Sequence, residues 1–189
     1  MPDRPILALM YDFDRTLSPR DMQEYGFIPG LGMDAAAFWQ ECDAAMKRHG
    51  MDSILAYMLV MLEKSRGRQL VTHETLRGLG ESVKLFPGVK SWFRRVNTYA
   101  EKKGLQPEHY IISSGLREII EGTPIAPEFQ EIYAASFCYD ENGVPIWPAM
   151  AVNYTSKTQF LFRINKGVPD VTENRGLNEY MPEDLRRVP

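Results

Sequence analysis

Residues 6–17 read Ile6-Leu7-Ala8-Leu9-Met10-Tyr11-Asp12-Phe13-Asp14-Arg15-Thr16-Leu17. An apolar run that ends in Asp-x-Asp-x-Thr reads as a buried strand delivering two carboxylates to one rim of a sheet. Side chains alternate along a strand, so Asp12 and Asp14 are expected to point the same way. Two carboxylates that close repel unless a cation sits between them or one holds a proton. Magnesium, a hard cation with oxygen ligands, would relieve the repulsion. A plain turn after a core strand also favours Asp and Thr, so the rest of the chain has to decide.

Downstream the strand pattern stops, and a polar stretch with Pro and Gly runs to Gly32. Asp34 then caps a helix carrying Phe38, Cys42, Ala45 and His49 at helical spacing, with Gly50 at its end. A second helix is expected over residues 53–65, striped by Leu55, Met58, Leu59 and Leu62, and a weaker third over 73–84. Pro87-Gly88 marks a return, and Val89, Trp92, Phe93 and Val96 give an amphipathic helix ending before Gly104. Tyr110-Ile111-Ile112 reads as a short buried strand that breaks at Ser113-Ser114-Gly115 into a tight turn, followed by a helix over 116–121. Two apolar runs, Phe137-Cys138-Tyr139 and Val144-Pro145-Ile146-Trp147, flank Asp140-Glu141-Asn142-Gly143, a hairpin signal. Thr155-Ser156-Lys157 opens a last helix, with Phe160, Leu161 and Ile164 on its inner side.

Alternating strands and helices predict an α/β fold with a Rossmann-like, mostly parallel sheet. The core domain is expected over residues 1–17 and 85–189, and a helical cap domain is inserted over 18–84. Ligands of such sheets bind outside the carboxyl ends of the strands, where Asp12, Asp14 and Ser113 lie. The cap follows the first strand directly, so it covers the same rim and can exclude water.

Composition narrows the classes. The 189 residues are 44% hydrophobic and 25% charged, with net charge -3, which offers no broad basic field for nucleic acid. No apolar run reaches the ~18 residues of a membrane span. Cys42 and Cys138 stand far apart and read as thiols in a reducing compartment. The N-terminal residues carry no signal-peptide pattern. The expectation is a cytoplasmic protein without nucleic-acid or membrane partners. His49, His73 and His109 are scattered, and no role is assigned to them.

In order, then, one apolar run ends in Asp-x-Asp-x-Thr, a second ends in Ser-Ser-Gly, and a lysine opens a later helix. This resembles the haloacid dehalogenase superfamily, in its phosphatase branch with a helical cap, the phosphoserine phosphatase type. The matching residues are Asp12, Phe13, Asp14, Thr16 and Leu17, then Ile111, Ile112, Ser113 and Gly115, then Lys157. The resemblance implies a magnesium-dependent phosphomonoester hydrolase acting on a small phosphorylated metabolite. In it Asp12 is the nucleophile that forms an aspartyl-phosphate. Asp14 is the acid and then the base, and Thr16 helps to orient it. The Asp12 carboxylate and the backbone carbonyl of Asp14 hold magnesium. Ser113 binds a phosphoryl oxygen, and the amides of Ser114 and Gly115 lie at a turn entering a helix, which favours an anion. Lys157 pairs with the phosphate and with Asp12. Asp21 stands about where related phosphatases meet a substrate amine. Dehalogenases of the superfamily lack the acid at the second position, so Asp14 points to an ester leaving group that needs a proton.

The family's Gly-Asp turn after a fourth strand is missing from the sequence. Asp170 and Asp184 sit among polar, proline-flanked residues and read as solvated. The C-terminal strands are therefore expected to be absent and the polypeptide truncated, with weak magnesium binding. The flank of the catalytic strand would then be an exposed sheet edge open to self-association. The alternative is a truncated, non-catalytic or phosphate-accepting domain that keeps the pocket without efficient turnover.

Overall fold

The structure, a computed structural model, describes residues 4–178 and 187–188; Asp184 lies outside them. Five strands form one sheet in the order β4-β3-β2-β1-β5. They are β1 (Ile6–Tyr11), β2 (Gln106–Leu116), β3 (Glu131–Tyr139), β4 (Pro145–Met150) and β5 (Arg187–Val188). All pairings are parallel except β3 with β4. The fold is thus α/β with a mostly parallel, Rossmann-like sheet. The flank of β1, expected to be bare, carries the two-residue β5, which pairs with Ile6 and Leu7.

Eight helices complete the described residues: α1 (Phe27–Gly30), α2 (Ala35–His49), α3 (Ser53–Ser65), α4 (His73–Gly78), α5 (Val89–Lys102), α6 (Arg117–Glu121), α7 (Lys157–Lys166) and α8 (Arg175–Asn178). Local chemistry sets several of their ends. Asp34 accepts the Ala37 amide at 2.9 Å to start α2, and Gly50 ends it in the left-handed region at φ 60°. Asp52 starts α3 by accepting the Ile54 amide at 2.8 Å. The third expected helix stops early. It runs over α4 and tightens into a 3-10 turn, Leu79–Ser82.

Two apolar clusters hold the layers, one on each face of β2. Ile111 belongs to the larger one, with Phe13, Leu17, Phe38, Met58, Met61 and Ile119. Tyr110 and Ile112 point the other way and pack with Tyr133, Phe160 and Ile164 beneath α7. Burying each large apolar side chain contributes roughly 1.5–3 kcal/mol. The larger cluster continues from the sheet into α2 and α3, so helices and strands share one core there. The hairpin forms as expected, with Asp140 Oδ1 accepting the amides of Asn142 and Val144. Its first strand starts earlier than expected, at Glu131.

Two local expectations are corrected. Ser113-Ser114-Gly115 is not a tight turn, because β2 continues through it to Leu116. Pairing with β3 shifts there, from Ser113↔Ala134 to Leu116↔Ala135. The extra residues bulge out of the ladder, and the Gly115 amide bonds to Ser113 Oγ at 3.0 Å instead. The helix that follows has five residues and starts only at Arg117, so the bulge, not a helix end, presents these amides. Nor does strand alternation carry Asp12 and Asp14 to one side, because β1 ends at Tyr11. Beyond it the Phe13 carbonyl accepts the amides of Thr16, Leu17 and Ser18, and Arg15 takes φ 60°.

Candidate active site

The register sets the rim. Tyr11 pairs with Ile111, so Asp12 leaves β1 at the level where β2 approaches Ser113. Buried Phe13 anchors the coil that follows, and Asp12 and Asp14 end in different surroundings.

Asp12 faces outward, its side chain 44% exposed. Its Oδ1 accepts the Phe13 amide at 2.8 Å, and its Oδ2 accepts from Lys157 Nζ at 2.6 Å. Lys157 opens α7, and the loop before it is tightly built. Asn153 Oδ1 accepts the Ser156 amide, and Ser156 Oγ accepts the Asn153 amide. Asn153 Nδ2 donates to Asp52 Oδ2 at 2.9 Å. The residue that caps α3 therefore also braces the lysine loop.

Asp14 is turned inward. Its Oδ1 accepts the Met22 amide at 2.9 Å. A Cβ added to Gly115 would lie 2.9 Å from Asp14 Oδ2 and would collide with the Met22 side chain. Only glycine lets the β2 bulge come this close to the acid. Burial, then the nearby Asp21 charge, push the Asp14 carboxyl up to about 8; Asp12 adds to the rise, and the Met22 hydrogen bond opposes it. The group is protonated at neutral pH.

Ser113 is buried. Its Oγ accepts the Gly115 amide, which leaves its hydroxyl proton to donate. The Ser114 carbonyl accepts from Tyr57 Oη of α3 at 2.9 Å, tying the helical insertion to the bulge. Asp14, Asp21, Ser114 and Gly115 line one cavity of about 340 Å³. Asp21 is already engaged, since Arg15 donates to both of its oxygens at 3.2 and 2.9 Å. Thr16 is exposed, and the contact that holds Asp14 comes from Met22.

Several residues of this site carry no motif. Asp43, Tyr57 and Trp39 line the cavity together with Gln23; Gln23 stands near the first motif in sequence, while only the spatial arrangement reveals the other three. The roles of Asp52 and Asn153 also come from the structure alone. His109 is buried between Tyr11 Oη (2.8 Å) and Asn97 Oδ1 (2.7 Å). Asp170 bonds its own turn at Thr172. Cys42 and Cys138 are free thiols. Among the described residues no three His, Cys, Asp or Glu side chains gather as a metal cluster, and no helix is long and apolar enough to cross a membrane.

No protein-family model matches the chain. An uncharacterized protein of Borreliella burgdorferi is 28% identical over 210 residues, covering 97% of this chain and 71% of that one. Solved structures are similar in fold. A haloacid dehalogenase (HAD) family hydrolase from Salmonella enterica superposes with a TM-score of 0.57 at 17% identity, over 92% of this chain. The chain spans 55% of that protein's length. A phosphoserine phosphohydrolase-like protein from Francisella tularensis gives 0.53 at 19% identity, over 84% of this chain and 74% of that one. A phospho-aspartyl intermediate analogue of phosphoserine phosphatase gives 0.58 at 12%, over 87% and 72%. The chain thus has the fold of haloacid dehalogenase superfamily phosphatases.

Proposed function

We propose that the protein is a phosphomonoester hydrolase that works through an aspartyl-phosphate on Asp12. The observation that carries this reading is the division of labour between two acids two residues apart. Asp12 is charged-paired to Lys157 at 2.6 Å and open to solvent. Asp14 is held by a backbone amide beside a cavity, with its carboxyl pushed up to about 8. One is suited to attack and the other to give a proton.

In the first step an Asp12 oxygen bonds to phosphorus and the ester P–O bond breaks. The leaving alkoxide takes the proton of Asp14. In the second step Asp14, now a carboxylate, removes a proton from water. That water's oxygen bonds to phosphorus, and the bond to Asp12 breaks, releasing phosphate. Lys157 offsets repulsion between the incoming anion and Asp12. The resemblance assigns the Ser113 hydroxyl to a phosphoryl oxygen; here its Oγ is buried and holds the Gly115 amide.

Magnesium belongs to this reading through the family resemblance. The donor set fits it, because magnesium commonly takes one or two protein carboxylates plus phosphate oxygens and waters. The exposed Asp12 carboxylate and the Asp14 carbonyl would hold it; the Asp14 carboxyl is engaged by the Met22 amide. When bound, the ion neutralises charge on the transferring phosphoryl group. The free thiols support a cytoplasmic setting, and a small phosphorylated metabolite is the expected substrate. The part of the outer edge of β1 beyond Leu7, past the pairing with β5, is proposed to support self-association, which solution size measurement tests.

A second reading, phosphate acceptance without efficient turnover, draws on a separate observation: among the described residues no three acidic, His or Cys side chains are grouped so that they could hold a metal ion. A magnesium-dependent assay on p-nitrophenyl phosphate separates the two. Steady turnover supports a hydrolase, and a single stoichiometric burst supports an acceptor. No release of product at all contradicts both.

A further inference from the structure

Resting on the phosphatase reading, we infer that Glu118 is a positioning residue: its buried carboxylate continues the β3 ladder where the β2 backbone leaves it, and so fixes the Ser113-Ser114-Gly115 bulge at the rim. The register shows the gap it fills. Beyond the bulge β2 pairs with β3 at one further position, Leu116↔Ala135, and the chain then enters α6. β3 runs on to Tyr139. The Phe137 amide, past the end of that pairing, donates to Glu118 Oε1 at 3.0 Å. Tyr139 Oη donates to the same oxygen at 2.6 Å. A side chain from the first turn of α6 thus supplies the acceptor that a strand would have offered.

The tether is short. Glu118 follows Leu116 and Arg117 directly, so whatever holds its carboxylate holds the end of the bulge. Ile119 and Ile120 pack α6 into the core, but apolar burial is non-directional and does not by itself set where the strand stops. The bulge carries Ser113, assigned to a phosphoryl oxygen by resemblance, and Gly115, which stands against Asp14. The Leu116 amide meets Met22 Sδ at 3.2 Å, and the Met22 amide holds Asp14. A slip of the bulge would therefore move both the phosphate contact and the acid.

The residue type argues against mere space filling. Glu118 is buried, with 2% of its surface exposed, and its Oε2 has no hydrogen-bond partner among the described residues. Stability alone is often served as well by an apolar side chain as by a buried acid. What the carboxylate adds is an oxygen that accepts two donors in fixed directions.

The test compares Glu118→Gln, which keeps an oxygen for both donors, with Glu118→Leu, which accepts from neither. Circular dichroism at the assay temperature checks that each is folded. On p-nitrophenyl phosphate with magnesium, Glu118→Leu is expected to lose at least ~10-fold in kcat, more than it changes KM, because a small displacement of reacting groups costs rate. Glu118→Gln should keep kcat within about threefold of the parent. A folded Glu118→Leu with the parent kcat overturns the inference, as does a Gln variant as impaired as the Leu variant. Should Glu118→Leu fail to fold, Tyr139→Phe removes one of the two donors and should lower kcat several-fold; an unchanged kcat overturns the inference. If the parent does not hydrolyse p-nitrophenyl phosphate, the phosphatase reading fails by itself. The inference is then judged by hydrogen exchange at the Gly115 amide, which bonds to Ser113 Oγ. That amide should exchange at least ~10-fold faster in the folded variant, Glu118→Leu or Tyr139→Phe, than in the parent. Equal rates overturn the inference.

Discussion

Gly115 and Asp14 are in contact across the rim, so close that a β-carbon on the glycine would stand 2.9 Å from Asp14 Oδ2. The bulge of β2 and the coil after β1 are thus fitted to each other at the atom proposed to move protons. Gly115→Ala must displace Asp14 or Met22. Overpacking of this kind typically costs about 1–3 kcal/mol, while a small misplacement of a catalytic group can cost ~100-fold in rate. The variant is expected to fold and to lose at least ~100-fold in kcat/KM, measured on a phosphomonoester alongside a thermal melt. Near-normal activity would show that this contact does not position the acid.

Asp14 should govern the alkaline limb of the pH profile. Its carboxyl is raised to about 8, chiefly by burial, so the acid form needed for leaving-group protonation is lost above that pH. The kcat/KM for an alkyl phosphate is expected to fall as pH rises through about 8. An ester with a good leaving group, such as p-nitrophenyl phosphate, should fall less. Superimposable profiles for the two esters would contradict the assignment.

The same group makes stability depend on pH. Its folded pKa lies above its ordinary value, so the folded state binds the extra proton between about 4 and about 8. The stabilisation is complete below that window and is lost as pH rises through about 8. Asp14→Asn removes the penalty, and at pH 9 it should raise the melting temperature by ~2–4 °C, the effect of about 1 kcal/mol in a chain this long. A variant that melts lower than the parent at pH 9 would count against a buried, charge-averse Asp14.

The helical insertion meets α6 through a backbone-to-backbone contact. A Cβ on Gly80 would collide with Ile119 O and the Gly122 backbone, its distance to Gly122 Cα being 2.6 Å. Neither partner is a side chain that could swing away. Gly80→Ala is expected to destabilise by about 1–3 kcal/mol, read by urea unfolding. An unchanged midpoint would mean that the contact is loose.

Asp52 caps α3 with one oxygen and holds Asn153 with the other. Asp52→Ala should cost ~1 kcal/mol from the cap. It should also lower activity several-fold, because the loop that presents Lys157 loses its brace. Asp52→Asn keeps an oxygen for the cap and separates the two effects. Loss of stability with full activity would confine Asp52 to capping.

Much of this arrangement was legible in the sequence because local chemistry agrees with the tertiary result. Asp34 and Gly50 bound α2 as capping rules require, and Asn142-Gly143 turns the hairpin between β3 and β4. Lys157 opens α7, and its meeting with Asp12 follows from both lying at the carboxyl rim of a parallel sheet. The failures have a common cause, since they lie where long-range packing overrides local pattern. Ser113-Ser114-Gly115 has turn composition, yet β3 pairs on both sides of it and turns it into a bulge. Alternation beyond Tyr11 is cancelled by the carbonyl of buried Phe13, which gathers three amides into a coil. Gln23 lies in a stretch that reads as polar and close to the first motif; its burial comes with that of Met22, Phe27 and Ile28. The pairing of Arg187–Val188 with Ile6 and Leu7 carries no pattern long enough to read.

The most direct measurement is mass spectrometry of the protein acid-quenched during reaction with a phosphomonoester and magnesium, with peptide mapping. A phosphate adduct on the peptide containing Asp12, absent in Asp12→Asn, is the expected result. Continued turnover with no adduct on that peptide, or an adduct on another residue that survives Asp12→Asn, would contradict the role of Asp12 as nucleophile.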